Sequence, residues 1–271
     1  MLSRLARLSR PQALAVAAVP VVTLLGVTAL APLPFAVAQP GGTADVLGEY
    51  KGKQVLTISG APTRKTEGEL RMTTIVATGP QMDVRLGDVI DGWFRTDRAV
   101  MPKDSVYPEG DNVKEVEEHN LGDMRESQDD ATKAALRYLR ANGVDGTDKI
   151  KVKADLGKIG GPSAGLFLSL GVIDKLDGDG DGSGGDLTGG RTIAGTGTIS
   201  ASGKVGPVGG VSMKTQAAAR DGATVFLVPE AECSDAEAEK PKGLRLVPVT
   251  TLASTVDALR ALQKGEKVPS C

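Results

Sequence analysis

The chain has 271 residues, enough for one or two domains with a buried hydrophobic core. Lys and Arg together number 32 against 34 Asp and Glu, and aromatic residues make up 3% of the chain, which disfavours a nucleic-acid-binding protein. The single histidine, His119, excludes a multi-histidine metal centre, so any catalysis must use another type of general base.

Residues 1–38 have the composition of a targeting segment. Three arginines in the first ten residues precede a stretch between Pro11 and Ala44 that has no charge and is rich in Ala, Val and Leu. The small residues at 36–38 fit the cleavage site of a signal peptide. The same stretch is long enough to cross about 30 Å of hydrocarbon with its basic end inside, so an uncleaved membrane anchor is the alternative. Both alternatives predict an extracytoplasmic protein, either secreted or anchored to the cell membrane.

The two cysteines of the chain, Cys233 and Cys271, both lie in the part that would be exported. An oxidising compartment favours a disulfide between them, which would tie the C-terminal end to the body. The alternative is two unpaired thiols.

From residue 53 onwards, strand patterns alternate with helix patterns. Strands are expected at 54–59, 69–78, 149–156, 192–207 (with a turn), 224–228 and 245–248, and helices at 88–94, 127–142, 166–173, 210–220 and 255–263. The stretch 102–120 is charged and contains prolines, so we expect a solvated excursion there. Such alternation, without an internal repeat, predicts an α/β or mixed α+β domain.

The first candidate catalytic residue is Ser163, in the segment GGPSAG between a predicted strand and an apolar helix. Small neighbours leave its hydroxyl accessible, and the backbone N–H groups of Ser163 and Ala164 could bind an oxyanion. Glycine turns before helices are common, so a purely structural turn is the alternative.

The general base for such a serine would have to be a lysine. His119 lies in the charged upstream stretch, which disfavours a Ser-His-Asp triad. A lysine accepts a proton near neutral pH only if burial lowers its pKa from about 10.4. Lys214 fits this requirement, since it lies in the Ala-rich predicted helix at 210–220.

Three segments together resemble the proteolytic domain of Lon proteases: GGPSAG, DLTGGRTIAGTGTISASGKVGPVGGVSMK and AAARDGATVFLVPEAEC. The resemblance is close from Gly122 onwards and looser back to Asp45, so we divide the exported chain into an N-terminal part of the Lon-like region (45–120) and a Lon proteolytic core (121–271). It implies a Lon-type fold and a serine endopeptidase that acts on proteins or peptides through a Ser-Lys dyad without a cofactor. The matching positions are Ser163 as nucleophile and Lys214 as base, with Thr196 supporting the dyad. Ring-shaped homo-oligomers, common among Lon relatives, are a further expectation by analogy.

This sequence departs from the common Lon pattern in its accessory features. Gly160 stands where many Lon enzymes have an acidic residue, three positions before the serine. The nearest string to a Walker A loop, which ends at Lys204 and Val205, has the wrong spacing and no hydroxyl for Mg²⁺. The N-terminal region is similar to exported Lon-like peptidases of bacterial envelopes, but the 143–159 segment is too short for their PDZ domain. The resulting prediction is an exported or anchored endopeptidase that is independent of ATP in cis, with a catalytically silent envelope scaffold or adaptor as the alternative.

An acidic insertion at 177–186 separates the serine from the lysine. Asp177, Asp179, Asp181 and Gly182 match positions of a calcium loop, but Thr188 stands where a bidentate Glu belongs. We expect a flexible acidic surface loop and no metal site, and keep weak calcium binding, with a calcium-responsive binding module, as the alternative.

Overall fold

The computed structural model describes residues 9–108, 112–177 and 185–271. Within them the helices are α1 (Arg10–Leu30), α2 (Leu86–Phe94), α3 (Lys103–Val106), α4 (Val113–Ala141), α5 (Gly165–Asp177), α6 (Val211–Arg220), α7 (Cys233–Ala238) and α8 (Leu252–Gln263). The strands are β1 (Phe35–Asp45), β2 (Glu49–Tyr50), β3 (Lys53–Gln54), β4 (Leu56–Ser59), β5 (Glu69–Ala77), β6 (Ala99–Pro102), β7 (Lys151–Ala154), β8 (Thr192–Gly195), β9 (Thr198–Ile199), β10 (Val205–Gly206), β11 (Val225–Pro229) and β12 (Arg245–Val249). Short 3-10 turns occupy Thr147–Lys149, Pro162–Ala164 and Glu230–Glu232.

A mixed sheet organises the fold, with strand order β12-β11-β8-β5-β1-β6. The four strands from β12 to β5 run parallel, while β1 is antiparallel to both of its neighbours. Parallel neighbours need crossover connections, and helices α5 to α8 provide them or pack beside them. The predicted mixed α/β class is confirmed.

Helices cover both faces of this sheet. Side chains alternate along β11, so Val225 and Leu227 join one buried cluster while Phe226 and Val228 join another. The first and larger cluster includes residues of α4, α5 and α8. The second includes residues of α6 and α7. The helix after Ser163 and the helix that contains Lys214 therefore pack on opposite faces of the sheet.

Helix α4 corrects the expectation of a solvated excursion at 102–120. The helix starts at Val113, where the Asn112 side chain accepts a hydrogen bond from the Lys114 backbone N–H, and continues to Ala141. The first three turns of the helix are largely exposed, and Met124 is its first buried residue. Those turns have only three large apolar residues among mostly charged and polar ones, and the sequence therefore indicated only the second half of the helix.

Strand β1 begins before the expected boundary at residue 38. Ala36 and Ala38 are fully buried, and Ala38 pairs with Ala99 of β6 and Ala77 of β5. Residues 35–38 thus belong to the sheet, while the role of the apolar segment before them stays a prediction. The expected division at 120/121 falls inside α4, and β5 and β8 from the two parts pair directly, so both parts share one sheet.

Helix α1 is the one helix among the described residues that is long and apolar enough to cross a membrane. It has 21 residues, its most apolar 18-residue window has a mean hydropathy of 2.3, and none of that window is buried against the rest of the chain. A signal sequence near an N-terminus has the same properties.

The two cysteines form a disulfide. Cys233 at the start of α7 is bonded to Cys271, with 5.3 Å between their Cα atoms. Both residues pack against the second core cluster. The C-terminus is thereby tied to the segment that follows β11.

Candidate active site

The site is built around the turn that follows β8. Thr196 comes directly after the strand, is fully buried, and donates its backbone N–H to the Leu227 carbonyl of β11. The carboxyl ends of parallel strands are the usual place for ligand sites in α/β sheets. The position of the Thr196 hydroxyl is thus fixed by the central part of the sheet.

The turn that contains Ser163 is attached to Thr196 and its neighbour. The carbonyl oxygen of Ser163 accepts hydrogen bonds from the Gly197 N–H at 3.0 Å and from Thr196 Oγ1 at 3.3 Å. In return, the Leu166 N–H donates to the Gly197 carbonyl at 3.1 Å. These contacts hold the serine turn against the end of β8.

Helix α4 supports the serine turn from the other side. Ser127 Oγ donates to the Pro162 carbonyl at 2.9 Å, and the Asn120 carbonyl accepts from the Gly161 N–H at 2.8 Å. A Cβ on Gly165 would lie 2.7 Å from Ser127 Oγ, which explains why the residue two positions after Ser163 is glycine. Sequence reasoning missed Ser127 and Asn120, although a serine on the buried, Ala-rich face of α4 was a signal.

A second close contact with α4 explains why Gly160 departs from the common Lon pattern. A Cβ on this residue would lie 2.7 Å from the Asn120 Cβ. An acidic side chain three positions before Ser163 therefore has no space in this arrangement.

Lys214 reaches the Thr196 hydroxyl from the opposite face of the sheet. Helix α6 begins after Gly210, whose φ of +67° is a left-handed conformation that favours glycine. One turn later the Lys214 side chain is 3% exposed, and its Nζ donates to Thr196 Oγ1 at 3.1 Å. Within the described part of the chain, no hydrogen bond joins Ser163 Oγ directly to Lys214 Nζ, and Thr196 is the residue that contacts both partners.

Burial makes Lys214 an unusual lysine. Loss of solvation lowers the pKa of its ammonium group to about 8, although the nearby Glu232 carboxylate acts in the opposite direction. Glu232 lies in the turn after β11, where burial raises the pKa of its carboxyl group against the opposing effect of the Val208 N–H in the segment that leads to α6. Its Oε2 atom is buried and has no hydrogen-bond partner among the described residues. Sequence reasoning missed Glu232, because its proximity to Lys214 depends on the packing of β11 beside α6.

The serine turn also offers backbone donors. Pro162–Ala164 leads directly into α5, and the first N–H groups of a helical segment have no acceptor within it. The N–H groups of Ser163 and Ala164 are therefore the candidates for binding an oxyanion, as the sequence predicts.

Residues 114–261, more than half of the chain, match the Lon protease (S16) C-terminal proteolytic domain. The chain belongs to this family. The matched range includes the serine turn, Thr196 and α6, and the family consists of serine-type peptidases. The predicted membership is confirmed.

Several curated Lon proteases are similar to this Lon domain. The Lon protease of Syntrophomonas wolfei is 32% identical over 165 residues, which cover 55% of this chain and 19% of the relative. That of Trichlorobacter lovleyi is 33% identical over 144 residues, covering 48% of this chain and 16% of the relative. The archaeal Lon protease of Halobacterium salinarum is 32% identical over 108 residues, covering 39% and 14%. The chain thus spans less than a fifth of the length of these relatives.

A groove of about 550 Å³ opens beside the serine turn of the Lon domain. Gly160 lines it at one end, and Lys158 and Glu117 form an ion pair of 3.3 Å at its rim. Most of its other lining side chains are apolar: Ile75, Ala77, Pro80, Val106, Tyr107, Val113, Val116 and Leu121. An extended apolar peptide segment would fit such a surface.

Most of the positions considered for calcium binding lie in 178–184, which are outside the part of the chain that the structure describes. At the edges of the insertion, Asp186 Oδ1 accepts hydrogen bonds from Arg64 and from the Glu67 N–H. The Thr188 hydroxyl donates to the Glu67 carbonyl. Among the described residues, no group of three or more His, Cys, Asp or Glu side chains could hold a metal ion.

Proposed function

We propose that this Lon-domain protein is a membrane-anchored, extracytoplasmic serine endopeptidase that needs no ATP in cis. The observation that carries the proposal is the position of the Thr196 hydroxyl, which accepts a hydrogen bond from buried Lys214 and donates one to the backbone of Ser163. A base with a pKa near 8 and a serine at a helix start are the two components that acyl transfer requires.

In this mechanism, Ser163 Oγ attacks the peptide carbonyl carbon while neutral Lys214 takes the hydroxyl proton. The N–H groups of Ser163 and Ala164 stabilise the negative oxygen of the tetrahedral intermediate. Lys214 then returns the proton to the leaving amine, which gives an acyl-enzyme. A water molecule, deprotonated by Lys214, then attacks the ester carbon. The bond from this carbon to Ser163 Oγ breaks and Lys214 returns the proton to Oγ, which releases the product acid and regenerates both residues. Thr196 orients the amine throughout.

Strand β1 supports a retained anchor rather than a cleaved signal. Cleavage after Ala38 would remove residues 35–38, all of which pair with β6. It would also remove the buried Ala36 and Ala38 from the sheet. Helix α1, by contrast, could be embedded in lipid without loss of any buried contact. The anchor would hold the Lon domain on the outer side, because two arginines precede α1 and a third, Arg10, is its first residue.

We expect unfolded proteins and peptides as substrates, because the groove beside Gly160 is apolar and open. A homo-oligomer is part of the proposal only by analogy with Lon relatives. No nucleic acid is expected as a partner, since the net charge is −2.

The test is the hydrolysis of casein by the full chain and by Ser163→Ala and Lys214→Met. Both variants should lose activity, whereas Ser202→Ala and Lys204→Met, which change the same residue types in the β9–β10 hairpin, should keep it. Equal activity in all five proteins would refute the mechanism.

The alternative is a catalytically silent scaffold or adaptor. The observation in its favour is that Thr196, and not Ser163 Oγ, is the hydrogen-bond partner of Lys214 Nζ among the described residues. Absence of hydrolysis by the wild type, together with an intact fold, would favour it.

A further inference from the structure

Helix α2 presents an apolar stripe to solvent. Leu86, Ile90, Trp93 and Phe94 are 36%, 49%, 81% and 83% exposed. At 100° per residue these four positions lie within an arc of about 100° on one side of the helix. Scattered apolar residues on a surface are ordinary, but a continuous stripe that ends in two aromatic rings indicates a binding surface.

The opposite side of α2 packs on the body, so the stripe has a fixed direction. Gly92 is buried, and a Cβ there would lie 2.6 Å from Val100 Cγ2 of β6. Asp88 caps the helix by accepting a hydrogen bond from the Arg85 N–H. The stripe therefore remains exposed because no described residue is in a position to cover it.

The chain leading out of α1 places this stripe beside the anchor. Helix α1 ends at Leu30, and three residues later the Leu33 N–H donates to the Val84 carbonyl at 2.8 Å. Three residues span at most about 10 Å. Val84 is two residues before α2, and α1 and α2 are in contact. If α1 spans a bilayer, α2 lies at the level of the lipid headgroups.

The composition of α2 suits that level of the membrane. Tryptophan and other aromatic side chains are favoured at the boundary between hydrocarbon and water. Segment 85–98 contains three Arg and three Asp, and Arg98 pairs with Asp91 and Arg95 with Asp97. Its charge is thus balanced, which indicates insertion of apolar side chains rather than attraction to anionic lipid.

We propose that the apolar stripe of α2 docks into the outer surface of the phospholipid bilayer and holds the Lon domain in one orientation on the membrane. This inference rests on the proposed membrane anchoring of α1, but not on the peptidase mechanism. The anchor alone would leave the body free to rotate about residues 31 and 32, which join α1 to the hydrogen-bonded Leu33. Two points of attachment fix the direction in which the groove beside Gly160 faces.

Trp93 is the only tryptophan in the chain, so its fluorescence reports on this surface alone. The full chain is reconstituted into phosphatidylcholine vesicles whose acyl chains carry bromine, a contact quencher, and into matched vesicles without bromine. Docking predicts that brominated lipid removes at least about half of the Trp93 emission, as expected for a ring at the acyl boundary. The double variant Ile90→Asp/Phe94→Asp, which keeps Trp93, should lose most of that quenching. Val113→Asp removes a side chain that is 49% exposed at the start of α4 and should leave the quenching unchanged.

Flotation of the same vesicles separates the possible failures. If the chain floats with the vesicles but bromine does not quench Trp93, docking is overturned and the anchor stands. Emission that is shifted to the blue yet insensitive to bromine would mean that a second copy of the chain covers the stripe, which also overturns docking. A chain that does not float would overturn both the anchor and docking. Casein hydrolysis by the same samples reads the peptidase activity separately.

Discussion

Lys214 Nζ lies 3.1 Å from Thr196 Oγ1, and the same hydroxyl is 3.3 Å from the Ser163 carbonyl oxygen. One buried threonine thus contacts both the side chain of the proposed base and the backbone of the proposed nucleophile. Because the hydroxyl has one proton and donates it to the Ser163 carbonyl, it acts only as an acceptor towards Lys214. This arrangement directs the amine towards the serine turn.

Thr196→Val should lower kcat about tenfold to a hundredfold and leave KM unchanged, because the isosteric side chain keeps the packing but no longer orients Lys214. Thr196→Ser retains the hydroxyl and should restore most of the activity. Steady-state hydrolysis of a casein-derived peptide measures both variants. A loss in Thr196→Val that appears only in KM would assign Thr196 to substrate binding instead.

Glu232→Gln should shift the pH dependence of kcat/KM towards lower pH. The Glu232 carboxylate raises the pKa of Lys214, while burial lowers it to about 8. Removing the charge lowers the pKa of Lys214 further, so more of the base is neutral at pH 7 and the rate there rises. The matched control is Glu230→Gln, since Glu230 is exposed two residues earlier. If the acid limb of the kcat/KM profile has the same midpoint in Glu232→Gln and in the wild type, the Glu232 carboxylate does not influence the pKa of Lys214.

Lys214→Met should stabilise the fold at neutral pH while abolishing activity. The folded-state pKa is about 8 against an ordinary value of 10.5, so between these values the unfolded chain binds more protons than the folded one, and stability rises with pH. Below pH 8 the folded state carries the full cost of a buried charge. The variant should therefore gain about 1–3 kcal/mol in the free energy of unfolding at pH 7, with a difference that shrinks above pH 10. Denaturant unfolding at both pH values, with Lys204→Met as control, measures it, and a destabilised variant at pH 7 would contradict it.

Loss of the disulfide should destabilise the protein substantially. The Cys233–Cys271 bond spans a sequence separation of 38 residues, for which the loop-entropy relation predicts about 4 kcal/mol. Cys233→Ser/Cys271→Ser removes both thiols and avoids a reactive single cysteine. Its unfolding midpoint should match that of reduced wild type and lie well below that of oxidised wild type. Equal midpoints with and without reductant would show that the bond contributes no stability.

The sequence singles out the proposed catalytic positions because they lie in short segments with distinctive composition. Ser163 lies in a run of glycine and other small residues, and Lys214 follows a glycine pair at the start of a helix. Strands β5 and β11 are rich in β-branched and apolar residues, so both strands could also be predicted from residue type. These signals are local, and local signals can be read from one chain.

What the sequence could not show depends on tertiary contacts. The first half of α4 is mostly charged and polar, and its importance comes from the Asn120 carbonyl that holds Gly161. Ala36 and Ala38 suit a cleavage site because they are small, and they suit a buried strand for the same reason. Glu232 is one of many surface-type acids in its segment, and its role follows only from a buried oxygen beside Lys214.

The proposed mechanism requires a Lys214 amine that is partly neutral at physiological pH. Its titration can be followed by NMR of the full chain with labelled lysine side chains, using Lys214→Met to identify the resonance. We expect a titration midpoint near 8 that coincides with the acid limb of the pH profile of kcat/KM. A midpoint near the ordinary value of 10.5, or a rate profile that does not follow the Lys214 titration, would contradict it.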